Sequence, residues 1–150
     1  MNRTAALLAT FFGVGYTPKL PGTAASLAAF ACWAGLSALL PAWAVALFLA
    51  HVAPFLFSAT HVYLKTKSER DPGEIVADEV LGSGVAVLFL PLSWTAFVMA
   101  FVLFRLLDVL KPPPIRSLER AGGAWGVVLD DLAAGILANL LTRAALHWIF

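Results

Sequence analysis

Residues 75–110 read IVADEVLGSGVAVLFLPLSWTAFVMAFVLFRLLDVL, thirty-six positions whose charged side chains are confined to Asp78, Glu79, Arg105 and Asp108. Both pairs of charges fall near the ends of the stretch, and Pro91-Leu92-Ser93 in its middle carries the chemistry of a turn. The segment therefore predicts two short antiparallel helices that dip into hydrocarbon and return to the side from which they came. Two full crossings and a single re-entrant hairpin are both compatible with its length.

On the N-terminal side lie two more apolar runs, residues 23–40 and 42–64, joined at Pro41, a residue favoured in the first turn of a helix. On the C-terminal side a last run occupies about residues 131–149. A bilayer core asks for about 20 apolar residues per helix, and these runs meet or approach that. Composition agrees: 61% of the chain is hydrophobic, mean hydropathy is +0.86, and the 13% of charged residues is about half the soluble norm. The expected fold is an all-α, polytopic membrane bundle of about five inserted helices, preceded by a short interfacial helix over residues 1–12. Residues 1–150 form a single domain, with no linker or internal repeat, and no small-x-small cleavage site follows the N-terminal run.

The tips at Pro41 and Pro91 are uncharged, whereas Lys19, the group Lys65-Lys67-Arg70 and the group Lys111-Arg116-Arg120 gather at the other ends of the helices. The positive-inside rule places that second set in the cytoplasm. A net charge of +1, with no basic stripe, gives no basis for nucleic-acid binding. Cys32 stands alone, which excludes a disulfide framework and a thiolate metal site. Nothing in the chain specifies an oligomeric state.

All nine acidic residues lie at or beyond Glu69, and eight of them cluster as Glu69-Asp71-Glu74-Asp78-Glu79, Asp108 and Asp130-Asp131. Carboxylates are costly in hydrocarbon, so clusters beside apolar helices imply a polar site with cations to hold. On a helix beginning near Glu74, positions 74 and 78 share a face and Glu79 lies about 100° round from Asp78. Asp71-Pro72-Gly73 reads as the entry to that helix, with Asp71 serving either as its cap or as a ligand. Small residues around Asp130-Asp131, Gly122-Gly123 before and Ala133-Ala134-Gly135 after, allow close approach, bringing the second acid pair into the cavity of the first. Paired carboxylates opposite paired carboxylates favour a hard cation bound through oxygen, Mg²⁺ above all. The candidate metal ligands are Asp71, Glu74, Asp78, Glu79, Asp130 and Asp131, and the candidate catalytic carboxylates are Asp78, Glu79, Asp108, Asp130 and Asp131.

Arg105, Asp108 and Lys111 recur at intervals of three and form one polar edge. The stiff Pro112-Pro113-Pro114 segment then holds Lys111 and Arg116 in a fixed relation suited to a phosphate, Arg binding in bidentate fashion and Lys as a point charge. Upstream, Gly13-Val14-Gly15-Tyr16-Thr17-Pro18-Lys19-Leu20-Pro21-Gly22-Thr23-Ala24-Ala25-Ser26 is a rigid loop entering a helix whose free N–H groups suit an anion. Lys19, Thr23, Ser26, Arg105, Lys111 and Arg116 are thus the candidate phosphate-binding residues. His51 and His61 have no acid or Cys at ligand spacing and read as packing residues.

Three blocks, Gly13 to Ser26, Asp71-Pro72-Gly73-Glu74-Ile75-Val76-Ala77-Asp78-Glu79-Val80-Leu81-Gly82, and Arg105 to Gly135, resemble the motif regions of the phosphatidylglycerophosphatase A family in order and spacing. The last block carries Arg105-Leu106-Leu107-Asp108-Val109-Leu110-Lys111-Pro112-Pro113-Pro114 and Gly126-Val127-Val128-Leu129-Asp130-Asp131. Ala25, Ala77 and Pro113 depart from the family's pattern at linking positions. The resemblance implies a bacterial inner-membrane enzyme, active on the cytoplasmic side, that uses Mg²⁺ to convert phosphatidylglycerophosphate to phosphatidylglycerol and inorganic phosphate. The cysteine, haloacid-dehalogenase and histidine phosphatase signatures are absent from the chain, leaving metal-activated water as the simplest route. The rival reading is a small ion or proton carrier, which would also use intramembrane acids but would place them near mid-bilayer with access from both sides.

Overall fold

The structure, a computed structural model, describes residues 2–68 and 72–149. Met1, Glu69, Arg70, Asp71 and Phe150 lie outside the described residues. The chain is all-α: α1 Arg3–Ala9, α2 Pro21–Leu39, α3 Ala42–Leu64, α4 Ala77–Val87, α5 Trp94–Leu110, α6 Ile115–Leu118 and α7 Gly123–Ile149. Asn2 caps α1 by accepting from the backbone N–H groups of Thr4 and Ala5. The buried alanines Ala6 and Ala9 pack that helix against Tyr63, Ile75 and Val127.

Three helices, α2, α3 and α7, are long and apolar enough to cross a membrane. The expectation of five such helices is therefore corrected to three among the described residues. The reason lies in the quoted hairpin. α4 ends after 11 residues, about 16 Å and so about half of a hydrocarbon core. Phe89 then turns the chain through a positive φ of 57° before Pro91, and Ser93 caps α5 by accepting from the N–H of Ala96 at 3.1 Å.

A half-length helix in an apolar setting leaves its terminal carbonyls without water, a cost of several kcal/mol for each unmet group. Side chains of α7 meet them. The Asn139 amide donates to the carbonyls of Val85 (3.2 Å), Ala86 (2.9 Å) and Leu88 (2.9 Å), and Arg143 donates to Leu88 at 3.0 Å. Arg143 also donates to the Asn139 carbonyl oxygen at 2.7 Å, which fixes the amide's orientation.

α4 sits at the centre, packed against α2, α3, α5 and α7. Its residues Ala77, Leu81, Gly82, Ser83 and Ala86 are all but inaccessible. The Trp33 indole of α2 donates to the Val80 carbonyl at 3.1 Å, and Gly84 leaves room for that indole and for Leu49. α4 and α7 run parallel. A Cβ on Gly82 would lie 2.6 Å from the Asp131 carbonyl oxygen, and one on Gly135 would collide with the carbonyl of Gly82. The backbones touch there because neither residue carries a side chain.

Two boundaries differ from expectation. α7 begins at Gly123 and not near Asp131, so Asp130 and Asp131 stand two turns inside a helix. α4 begins at Ala77 and not near Glu74. Pro72 forms a turn with Ile75 (2.9 Å), and the Val76 N–H donates to the Ala9 carbonyl (2.9 Å), which holds residues 72–76 out of the helix.

Candidate active site

Asp78 and Glu79 lie in the first turn of α4, and Asp131 lies on the facing side of α7. The register of the two helices aligns them: Gly82 is one turn beyond Asp78, Gly135 is one turn beyond Asp131, and these glycines are where the backbones meet. As a result, one carboxylate oxygen from each of Asp78, Glu79 and Asp131 lies within 4.8 Å of the other two. Asp78 is 9% and Asp131 2% exposed. The N-terminal end of α2 closes the site from above, because a Cβ on Gly22 would overlap the Glu79 carboxylate.

Arg105 and Lys111 flank the trio, each held in ion pairs. On α5, Arg105 binds Asp108 and also donates to Ser26 (3.1 Å) and Thr23 (3.3 Å) of α2. Ser26 in turn donates to the Gly22 carbonyl at 2.7 Å. Lys111 terminates α5 in the left-handed region at φ 43° and thereby reaches across to Asp130 (2.5 Å) and Glu119 (2.6 Å). Asp108 and Asp130 join Glu79 as acidic neighbours of Asp131.

Among the described residues, this is an anionic pocket short of cations. Arg105 and Lys111 oppose Asp78, Glu79, Asp108, Asp130 and Asp131. Oε2 of Glu79, Oδ1 of Asp130 and Oδ2 of Asp131 are buried without a hydrogen-bond partner among the described residues. Buried carboxylate oxygens in such proximity are unfavourable unless a cation or a shared proton meets them. The donor set is all oxygen, which suits a hard divalent ion, and Asp78, Glu79 and Asp131 could hold one.

The remaining candidates are distributed around this centre. Glu74 is separate from the trio: Lys67 binds it at 2.5 Å and the Tyr63 hydroxyl donates to it at 3.4 Å. The Lys67 hydrogen bond holds the Glu74 carboxyl below the ordinary carboxylate range. Tyr63 also meets the Tyr16 hydroxyl at 3.1 Å, and Gly15 nests on the Glu74 backbone, so the Gly13 to Gly22 loop is fastened to the 72–76 segment. Thr23 and Ser26 are engaged with Arg105, while Lys19 and Arg116 are exposed at the same end of the bundle. Asp71 lies outside the described residues. His51 is exposed beside Phe55, with ring centroids 5.3 Å apart, and His61 is exposed near the start of α7.

Sequence reasoning took Gly22 only as part of a rigid loop and missed the roles of Glu119 and Asn139 altogether. A glycine one turn after each acid pair was the available signal for the close crossing. No pattern foretold that Glu119 shares Lys111 with Asp130.

The family model for phosphatidylglycerophosphatase A matches residues 7–146. The phosphatidylglycerophosphatase A of Escherichia coli K12 is 38% identical over 150 residues, covering 95% of this chain and 84% of its own. That of Haemophilus influenzae is 36% identical over 148 residues, covering 95% and 89%. A Bacteroides thetaiotaomicron protein whose provisional name is phosphatidylinositol-3-phosphatase is 35% identical over 150 residues, covering 95% and 93%. No solved structure matches. With a family match from near the first residue to near the last, and relatives above 30% identity along nearly the whole chain, this multi-pass membrane protein belongs to the phosphatidylglycerophosphatase A family.

Proposed function

We propose that the chain, acting as one membrane domain, hydrolyses the terminal phosphomonoester of phosphatidylglycerophosphate to phosphatidylglycerol and inorganic phosphate, with Mg²⁺ as cofactor. The observation that carries this reading is the buried carboxylate trio, three oxygen donors within 4.8 Å and two flanking acids, in a member of this phosphatase family. Asp78, Glu79 and Asp131 would hold the ion, with Asp130 beside them. When bound, Mg²⁺ neutralises charge on the phosphoryl oxygens and acidifies water.

The protein's own groups do the rest. Arg105 orients Asp108 and ties it to Thr23 and Ser26, so that polar hydrogens line the approach to Glu79. Lys111 holds Asp130 by one oxygen and leaves Oδ1 available to accept a proton from an attacking water. Lys19 and Arg116, both exposed, would meet phosphate charge at the rim. All these groups gather at one end of the bundle, which we assign to the cytoplasmic face of the bacterial inner membrane on the charge bias of the loops. A carrier would need ionisable groups reachable from both faces, and this clustering does not supply them.

The test is phosphate release by purified protein from phosphatidylglycerophosphate, phosphatidate, phosphatidylinositol 3-phosphate and glycerol 3-phosphate, compared as kcat/KM. Phosphatidylglycerophosphate is expected to be the preferred substrate. A preference for the inositol lipid would overturn the substrate assignment while leaving the phosphatase chemistry standing.

A further inference from the structure

α2 separates two apolar grooves on the lipid-facing surface. One lies between α2 and α5, has a volume of about 350 Å³, and is walled by Leu27, Ala31 and Ala34 on one side and Trp94, Val98 and Phe101 on the other. Its floor is the edge-to-face pair of Phe30 and Phe101, with ring centroids 5.3 Å apart. The second lies between α2 and α3, over Trp33, with Cys32 on its wall.

The grooves differ in what they lead to. Following α2 toward its N-terminus, the α2/α5 groove ends at Leu27, and the next residues on the same two helices are Ser26 and Thr23, both bonded to Arg105. One position further, Gly22 lies against the Glu79 carboxylate and 3.5 Å from Arg105 when a Cβ is placed on it. The order along one helix is thus apolar trough, guanidinium with two hydroxyls, then the carboxylate trio. The other groove meets Leu8 and Phe11 at its inner end and, among the described residues, offers no cation there.

That order matches the order of chemistry along a phospholipid. We infer that the α2/α5 groove receives one acyl chain of the substrate, with the lipid's phosphate-bearing end beside Arg105. This rests on the phosphatase reading above and adds to it a positioning site for the tail. From Leu27 to Ala34 the groove runs about 10 Å. A bilayer is as apolar as the groove, so burial there gains little over bulk lipid. The gain is orientation: a chain lodged against Phe30 directs the headgroup to the trio.

Adjacent residues of α2 provide a matched pair for the test, since Ala31 faces the α2/α5 groove and Cys32 the other, and both are exposed. In detergent micelles, Ala31→Phe is expected to lower kcat/KM for dioleoyl phosphatidylglycerophosphate about tenfold or more. It should leave dihexanoyl phosphatidylglycerophosphate, whose tails are short, within about twofold, as a positioning effect on the tail alone requires. Val98→Phe, on the opposite wall, should reproduce this, and Cys32→Phe should leave both substrates near wild type. If Ala31→Phe and Val98→Phe both retain wild-type rates on the dioleoyl lipid, or if Cys32→Phe produces the same selective loss, the groove assignment is wrong. Wild-type protein inert on every lipid phosphomonoester would defeat the phosphatase reading, and the groove with it, whereas active wild type with unaffected groove variants defeats the groove alone.

Discussion

Gly135 of α7 rests on the carbonyl of Gly82 in α4 with no room for a Cβ between them. Each glycine stands four residues after an acid of the trio, Asp131 and Asp78, so this contact sets the height at which the carboxylates face each other. The close crossing of two backbones is the structural cause of the site.

Gly135→Ala should therefore separate the helices at the level of the site. Overpacking of this kind costs about 1–3 kcal/mol. Activity should fall further than stability, by about a hundredfold if the trio shifts by an ångström. The check is kcat alongside the thermal midpoint, and normal turnover in a folded Gly135→Ala protein would show that the crossing does not govern the carboxylates.

Lys111 holds Asp130, which is 3% exposed, and Lys111→Met strands that carboxylate. Removing one partner of a buried pair costs about 3 kcal/mol. Adding Asp130→Asn should return part of the loss, a coupling of about 1–3 kcal/mol in a double-mutant cycle of thermal or denaturant unfolding. Strictly additive losses would mean that the pair does not matter to the fold.

Asn139→Ala removes the donor shared by the carbonyls of Val85, Ala86 and Leu88. Leaving buried carbonyls unmet costs about 1–3 kcal/mol, and the end of α4 should lose amide protection measurable by hydrogen exchange. Unchanged protection at Leu88 and beyond would show that the chain end is held by something else.

The Lys67 bond keeps the Glu74 carboxyl below its ordinary range, and Glu74 in turn raises Lys67. A depressed acid contributes stability that is present above the unfolded carboxylate pKa of about 4.3 and is lost as pH falls through the folded value. The raised lysine contributes below about 10.4 and ceases to do so as pH rises past its folded value. The thermal midpoint of Lys67→Met should lie slightly below wild type, by about 2 °C or less for so exposed a pair. That gap should close on acidification to about pH 3. A gap that widens in acid would reverse the assigned sign.

How far the sequence carried is visible in particular residues. The apolar runs and the Pro41 and Pro91 turns located the long helices and the hairpin, because hydropathy and turn chemistry are local. The depth of the hairpin was not local: α4 ends at half a membrane because Asn139 and Arg143, more than fifty residues away, meet its carbonyls. Likewise the clustering of acids announced a carboxylate trio that could hold a divalent ion, but helical spacing alone joined Glu74 to Asp78. The Val76 bond to Ala9 and the Glu74 bond to Lys67 break that relation, and Ala9 is remote from the motif in sequence. The start of α7 was placed too late because the last span was set by apolar length from about Asp131, whereas Gly122 and Gly123, with positive φ values of 71° and 55°, launch the helix two turns earlier.

The central claim is that the trio of Asp78, Glu79 and Asp131 holds the ion on which phosphate release depends. The most direct measurement is release from phosphatidylglycerophosphate by purified protein stripped with EDTA and then titrated with Mg²⁺, in wild type and in Asp131→Asn. Release should vanish in EDTA and return with Mg²⁺, while Asp131→Asn, still folded, should need far more Mg²⁺ or fall by at least about a hundredfold. Undiminished release in EDTA, or an Asp131→Asn titration that overlays the wild type, would contradict the account.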